Sequence, residues 1–277
     1  MGKKINKYAI ALGLVAGLSL TNPNFTKVKN ISEFNLVDVV HSFEINKKYG
    51  NAYNSLKSSL FPHISKYNNT LNFHEDCYCG PIVAANSMAY LFKEDFKRLQ
   101  TEKEPEFSGD LVKKLIKEIG YNPSHNTKVT EIINGIKKYA EKNNSSAEIE
   151  HRYLDYDKSY PKGKITPEWI KNNSTQNSNI ILLLDGFSSE IKYNLNGNID
   201  DSNRTWGHYI NVIDIHKNVN KEGYILEIAD PAVQKHENKY IINIHKGEND
   251  IWYVDGLKNR DSNNIIIGNA ISINLEK

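Results

Sequence analysis

Between Gly80 and Phe96 the chain is apolar around most of a helical circumference: Pro81, Ile82, Val83, Ala84, Ala85, Met88, Ala89, Leu91 and Phe92 leave no broad polar face. A helix of that kind is stable only when other elements cover it on nearly every side. It must run through the centre of the fold. Pro81 is tolerated in its first turn, where the missing N–H has no intrahelical partner to lose. Two amphipathic segments follow, residues 111–119 and 129–142, separated by the turn chemistry of Gly120-Tyr121-Asn122-Pro123, and they predict peripheral helices. After the Pro161-Lys162-Gly163 loop the composition becomes strand-like. Thr166 to Ile170 predicts a short helix, with Thr166 as its cap and Pro167 at its first position. Residues 179–184 read as a buried strand, and further strands are predicted at 209–215, 224–229, 239–244 and 265–274. Helices first and strands second predict an α+β fold, its central helix packed on a C-terminal antiparallel sheet; a doubly wound fold would need alternating units.

The chain has 277 residues, 39% of them hydrophobic and 25% charged, which is ample for a buried core without disulfide staples or structural metals. Its 35 Lys and Arg against 33 Asp and Glu come without a long basic block or a basic stripe interleaved with aromatics, so nucleic acid is excluded as a partner. Lys3, Lys4 and Lys7 precede an apolar run over residues 8–20 and then Thr21-Asn22-Pro23, the plan of a secretory signal over residues 1–22. The run falls short of the ~20 apolar residues that span a bilayer. Without those three lysines the formal charge drops from +2 to −1, so the excess positive charge belongs to export. The expected location is secreted or cell-surface associated, with no stable membrane association once the signal is cleaved. Residues 23–68 read as an N-terminal arm or pro-segment, and residues 69–277 as one main domain.

Cys77 and Cys79 are one residue apart, a spacing that rarely meets disulfide geometry. Cys79-Gly80-Pro81 opens the buried helix. A thiol there sits near unsatisfied N–H groups and the positive end of the helix dipole, which favours the nucleophilic thiolate. Gly80 is read as letting a substrate backbone approach closely. A base is needed, and Trp206-Gly207-His208 places one at the start of a strand. Asp230 ends the next strand, and residues 218–223 between them have turn chemistry; a hairpin centred near residue 219 puts His208 directly opposite Asp230 on one sheet face. The aspartate then fixes one imidazole nitrogen and the other faces the thiol. Cys77, preceded by Asp76, is the rival nucleophile, but the glycine and proline that open the helix follow Cys79. His74, Cys77 and Cys79 as metal ligands lack a fourth member and match no zinc spacing. No metal and no cofactor is implied. His216 reads as a satisfied sheet histidine, and His41, His63, His125, His151, His236 and His245 as surface. Trp206 reads as core or cleft wall, shielding the bond between His208 and Asp230.

The set Tyr78-Cys79-Gly80-Pro81, Trp206-Gly207-His208-Tyr209 and Ala229-Asp230-Pro231 resembles papain-fold cysteine peptidases, most closely the bacteriocin-processing-peptidase-like family. The resemblance covers residues 69–231. The offset of 129 residues between Cys79 and His208 is near the ~130–150 of papain-type enzymes. The resemblance implies a papain-like catalytic domain that hydrolyses peptide bonds of a peptide or protein substrate, with Cys79 as nucleophile, His208 as base and acid, and Asp230 as orienter. There is a fainter likeness to secreted immunoglobulin-cleaving cysteine proteases, carried by His208-Tyr209-Ile210-Asn211 and the gap to the aspartate. The family usually places a glutamine several residues before the cysteine as oxyanion donor, and this chain has none before Gln100. The Cys79 N–H supplies one donor, with Asn72 or His74 as candidates for the second. The alternatives are an inactive papain-fold module that binds peptide, and an acyltransferase or transglutaminase-like enzyme using the same three residues.

Overall fold

The computed structural model describes residue 64 and residues 78–92, 104–122, 126–154, 163–175, 177–193, 199–218, 221–233, 239–247, 250–258 and 264–276. The signal segment, most of the arm, and Asn72, His74 and Cys77 lie outside them. The fully apolar helix is α1, Cys79–Leu91, buried from Gly80 to Leu91. It ends sooner than expected, because Phe92 takes an extended conformation at φ −88° and ψ 92°. Helix α2 spans Glu104–Ile119 and α3 spans Val129–Lys142, the first starting a turn and a half or more before its apolar stripe. Helix α4 is Pro167–Asn173, capped by Thr166, whose hydroxyl accepts from the Trp169 N–H at 3.1 Å.

The strands are β1 Ser146–Tyr153, β2 Ser178–Phe187, β3 Lys192–Tyr193, β4 Ile199–Asp200, β5 Arg204–Lys217, β6 Tyr224–Ala229, β7 Lys239–Lys246, β8 Trp252–Asp255 and β9 Asn264–Glu276. Seven form one antiparallel sheet in the order β1-β9-β2-β5-β6-β7-β8, and β8 returns to β9 at Tyr253↔Ile266. Six strands therefore close into a barrel, with β1 outside as an appended edge. The fold is α+β with an antiparallel sheet, as the order of patterns predicts. Strand β1 escapes the sequence reading because only one side of it is covered: Ser-Ala-Glu-Ile-Glu-His-Arg-Tyr alternates exposed and half-buried positions, and it pairs with β9 alone.

Period-two alternation divides the sheet residues between two cores. Leu182, Leu184, Ile210, Val212, Leu226, Ile228, Ile242 and Ile244 fill the barrel. Ile181, Leu183, Tyr209, Ile213, Ile271 and Ile273 face outward, against α1 and the inner faces of α2 and α3. Strand β2 belongs to both, which is why all ten of its residues are buried and why it reads as a continuous apolar run.

Polar residues inside the second core lock α1 to the sheet. Asn211 of β5 shares its two Nδ2 hydrogens among three acceptors, the Val83 carbonyl at 3.0 Å, Ser87 Oγ at 2.9 Å and Asn179 Oδ1 at 3.1 Å. Ser87 donates to the same Asn179 oxygen at 2.7 Å, and Asn179 Nδ2 donates to the Val212 carbonyl at 3.0 Å. Immediately before Ser87 on α1, Asn86 pairs with both backbone groups of Ile64 at 3.1 Å, drawing that residue of the predicted arm into the core. Asn86, Ser87, Asn179 and Asn211 are all fully buried, so each bond replaces one to water and specifies the position of α1 along β5.

Candidate active site

Cys79 begins α1 and is half-buried as a residue, while the rest of the helix is buried. No side chain caps α1 at Tyr78, so the first-turn N–H groups are left to other partners. Tyr78 is held against Tyr121 at a ring separation of 4.8 Å, which fixes the approach to the cysteine. Gly80 plays a different part from the one expected. A Cβ there would lie 2.9 Å from Thr127 Cβ, so its missing side chain makes room for a protein residue rather than for a substrate backbone. Thr127 is fixed in turn by its carbonyl, which accepts from Tyr209 Oη at 3.0 Å.

His208 and Asp230 meet, but not by direct opposition. The hairpin register runs Lys217↔Tyr224, passes a bulge between Val212 and Asp214, and ends at Asn211↔Ala229. One further step places Asp230 across from Ile210, two residues along β5 from the histidine. A shift of two preserves the face, and such diagonal neighbours remain within reach of long side chains. His208 Nε2 lies 2.7 Å from Asp230 Oδ1, with both side chains 1% exposed. Because β6 stops pairing at Ala229, the edge of β5 is open at Tyr209, and the Tyr209 N–H reaches the Cys79 sulfur there.

A fourth residue completes the group. Tyr240 of β7 donates its hydroxyl to Asp230 Oδ2 at 2.6 Å and accepts from the Lys258 N–H at 3.1 Å, while Ala232 N–H donates to Oδ1 at 2.8 Å. Tyr240 lies across from Ile228 on β7, a pairing that no local pattern reveals. Its aromatic position at the head of a predicted strand is the signal that was available. Tyr240→Phe leaves one oxygen of a buried carboxylate without its donor and is expected to cost about 1–3 kcal/mol of folding free energy, read by urea denaturation.

Burial alone would raise the Cys79 thiol; His208, with the N–H groups of Tyr209 and Gly80, brings it below its ordinary value. Burial alone would lower His208, but the Asp230 carboxylate, with a contribution from Cys79, lifts it to about 9. Asp230 is likewise held below the usual carboxylate range, because His208, Tyr240 and Ala232 outweigh its burial. Nε2 is taken by Asp230, so Nδ1 is the nitrogen left for the thiol. The two are close enough to shift each other's proton affinity, though Nδ1 has no hydrogen bond of regular geometry. The arrangement favours a thiolate beside an imidazolium over much of the neutral range.

The structure thus brings Cys79, His208 and Asp230 together. The oxyanion candidates Asn72 and His74 and the rival Cys77 fall outside the described residues. Trp206 packs against the barrel core with its indole over Gly186, where any Cβ would collide with it. His216 stands 3.5 Å from Asp214 at the far end of β5. His151 departs from the expectation of a surface residue: it is half-buried on β1, with Nε2 2.9 Å from Asn269 Oδ1, because β9 covers that side of the strand. Among the described residues no group of three or more His, Cys, Asp or Glu is placed to hold a metal ion, and no helix is long and apolar enough to cross a membrane. No protein-family model matches the chain, and no curated protein matches it in sequence.

Proposed function

We propose that this chain is a secreted papain-like cysteine peptidase. The observation that carries the proposal is His208, fixed by Asp230 at 2.7 Å through one nitrogen and left with the other for a thiol of lowered pKa at the start of a buried helix. A central helix laid against a closed antiparallel barrel, with nucleophile from one and base from the other, supports the papain-like reading. In this mechanism the Cys79 thiolate attacks the scissile amide carbonyl, and the oxygen that gains charge is met by the Cys79 N–H. The C–N bond breaks as His208 passes its proton to the leaving amine. Water then adds to the thioester, His208 takes its proton, and the acid product leaves with the thiolate restored. Asp230 and Tyr240 keep the imidazole aimed throughout.

The absence of a glutamine before Gln100 favours one other reading, an inactive module that binds peptide. Incubating the reduced protein with an unfolded protein substrate separates the two. Mass spectrometry is expected to show new peptide termini and a transient acyl adduct on Cys79, with neither seen for Cys79→Ala. Products identical for the two proteins would overturn the peptidase reading.

A further inference from the structure

We propose that Arg204 is a specificity-determining residue of this site, receiving an acidic side chain of the substrate beside the scissile bond. The proposal rests on the peptidase reading above. Strands β2 and β5 pair Leu184 with His208 and Asp185 with Gly207, so the Asp185 rung is next to that of the catalytic histidine. Asp185 follows Ile181 and Leu183 on the face turned toward α1, the side from which Cys79 reaches the sheet. Tyr209, the neighbour of His208, is within electrostatic reach of Cys79, Asp185 and Arg204 together.

Asp185 is 2% exposed in its side chain, whereas Arg204 is 38% exposed. Arg204 Nε donates to Asp185 Oδ1 at 2.8 Å, and Nη2 stands 2.6 Å from the same oxygen as an ion pair. One edge of the guanidinium is thereby occupied. The hydrogens of Nη1 and the second hydrogen of Nη2 remain, and that edge is the planar fork that pairs a carboxylate through two parallel bonds. The seat is built for this pair: a Cβ at Gly207 would lie 2.6 Å from Nη2, and one at Gly268 would collide with Asp185 Oδ2. Buried ion pairs are a weak source of stability, and apolar residues of similar volume serve a core as well or better. A buried carboxylate that holds a half-exposed arginine one rung from His208, on the face turned toward α1, has the form of a recognition element. A peptide bearing Asp or Glu within a residue or two of its scissile carbonyl is the substrate that fits.

The test uses peptidyl vinyl sulfones with Glu or Gln at each of the two positions preceding the electrophile, and measures the rate of Cys79 modification. Iodoacetamide labelling of each protein normalises the comparison. The wild type is expected to react with a Glu probe on the order of tenfold faster than with its Gln counterpart. Arg204→Gln alone strands a buried carboxylate, so Asp185→Asn with Arg204→Gln is the variant of choice, and its Glu-to-Gln ratio is expected to fall to about one. Arg204→Lys, which keeps the charge without the fork, should fall between them. Equal rates for the Glu and Gln probes in the wild type, or a preference that survives in the double variant, would overturn the proposal alone. Failure of Cys79 to react with any peptidyl probe would overturn the peptidase reading and this proposal with it.

Discussion

His208→Ala is expected to lower turnover by about 10²–10⁴-fold with little change in KM, since general acid–base catalysis is worth that much and the histidine acts on the reacting atoms rather than on substrate affinity. The loss has two sources. Without the imidazolium, burial of the Cys79 thiol is opposed only by the N–H groups of Tyr209 and Gly80, which shifts the thiol toward its neutral form. Without the acid, the leaving amine must depart unprotonated. The pH profile carries the same information. Wild-type activity should rise through a thiol pKa lying below its ordinary value and fall near pH 9, where His208 loses the proton it must donate. Asp230→Asn removes the carboxylate that favours the imidazolium, so the alkaline limb should move to lower pH. An alkaline limb that stays in place would show that Asp230 does not set the proton affinity of His208. Steady-state kinetics on a cleaved peptide between pH 5 and pH 10 reads all three proteins.

Asn179→Leu should destabilise the fold by about 2–4 kcal/mol, measured by urea denaturation with an unchanged slope. Asn179 Oδ1 is the common acceptor of Ser87 and Asn211, and its Nδ2 satisfies the Val212 carbonyl. Replacing it with leucine keeps the volume roughly but strands the Ser87 hydroxyl and takes the Nδ2 donor from the Val212 carbonyl in a fully buried site, while the two Asn211 hydrogens keep the Val83 carbonyl and Ser87 Oγ. The size of the loss depends on that stranding. Ser87 Oγ also accepts from Asn211 Nδ2, so adding Ser87→Ala alone exchanges an orphaned hydroxyl for an orphaned amide hydrogen, whereas adding Ser87→Ala together with Asn211→Leu removes both donors and should recover part of the stability. A triple variant less stable than Asn179→Leu would mean that packing, not polar satisfaction, dominates at this junction. Because the same junction sets where α1 lies along β5, Asn179→Leu should also slow modification of Cys79 in protein that remains folded.

The helix that opens at Cys79 was legible because a segment with no polar face has one place to go, the centre. Its buried Asn86 and Ser87 were not interpretable in the same way, since their partners come from Ile64, Asn179 and Asn211, as many as 124 residues away. Cys79, His208 and Asp230 were legible through chemistry: a thiol at a helix start, a histidine at a strand start and an aspartate at the end of the next strand. The register between the last two was misplaced by two residues, because Lys217 pairs with Tyr224 and so centres the hairpin beyond residue 220 rather than at 219, an offset of three of which the bulge between Val212 and Asp214 takes back one. The error was harmless to the pairing, since a two-residue shift keeps both side chains on one face. Tyr240 and the pair of Asp185 with Arg204 depend on cross-strand neighbours that only the register of the paired strands supplies.

The most direct test of an activated pair is the rate of iodoacetamide alkylation of Cys79 in the folded, reduced protein across pH 5 to 9, with mass spectrometry separating it from Cys77. The expected result is fast modification of Cys79 extending well below an ordinary thiol pKa of ~8.5 and lost in His208→Ala. A Cys79 rate that follows the ordinary thiol titration in both proteins would contradict the ion pair and the hydrolase built on it.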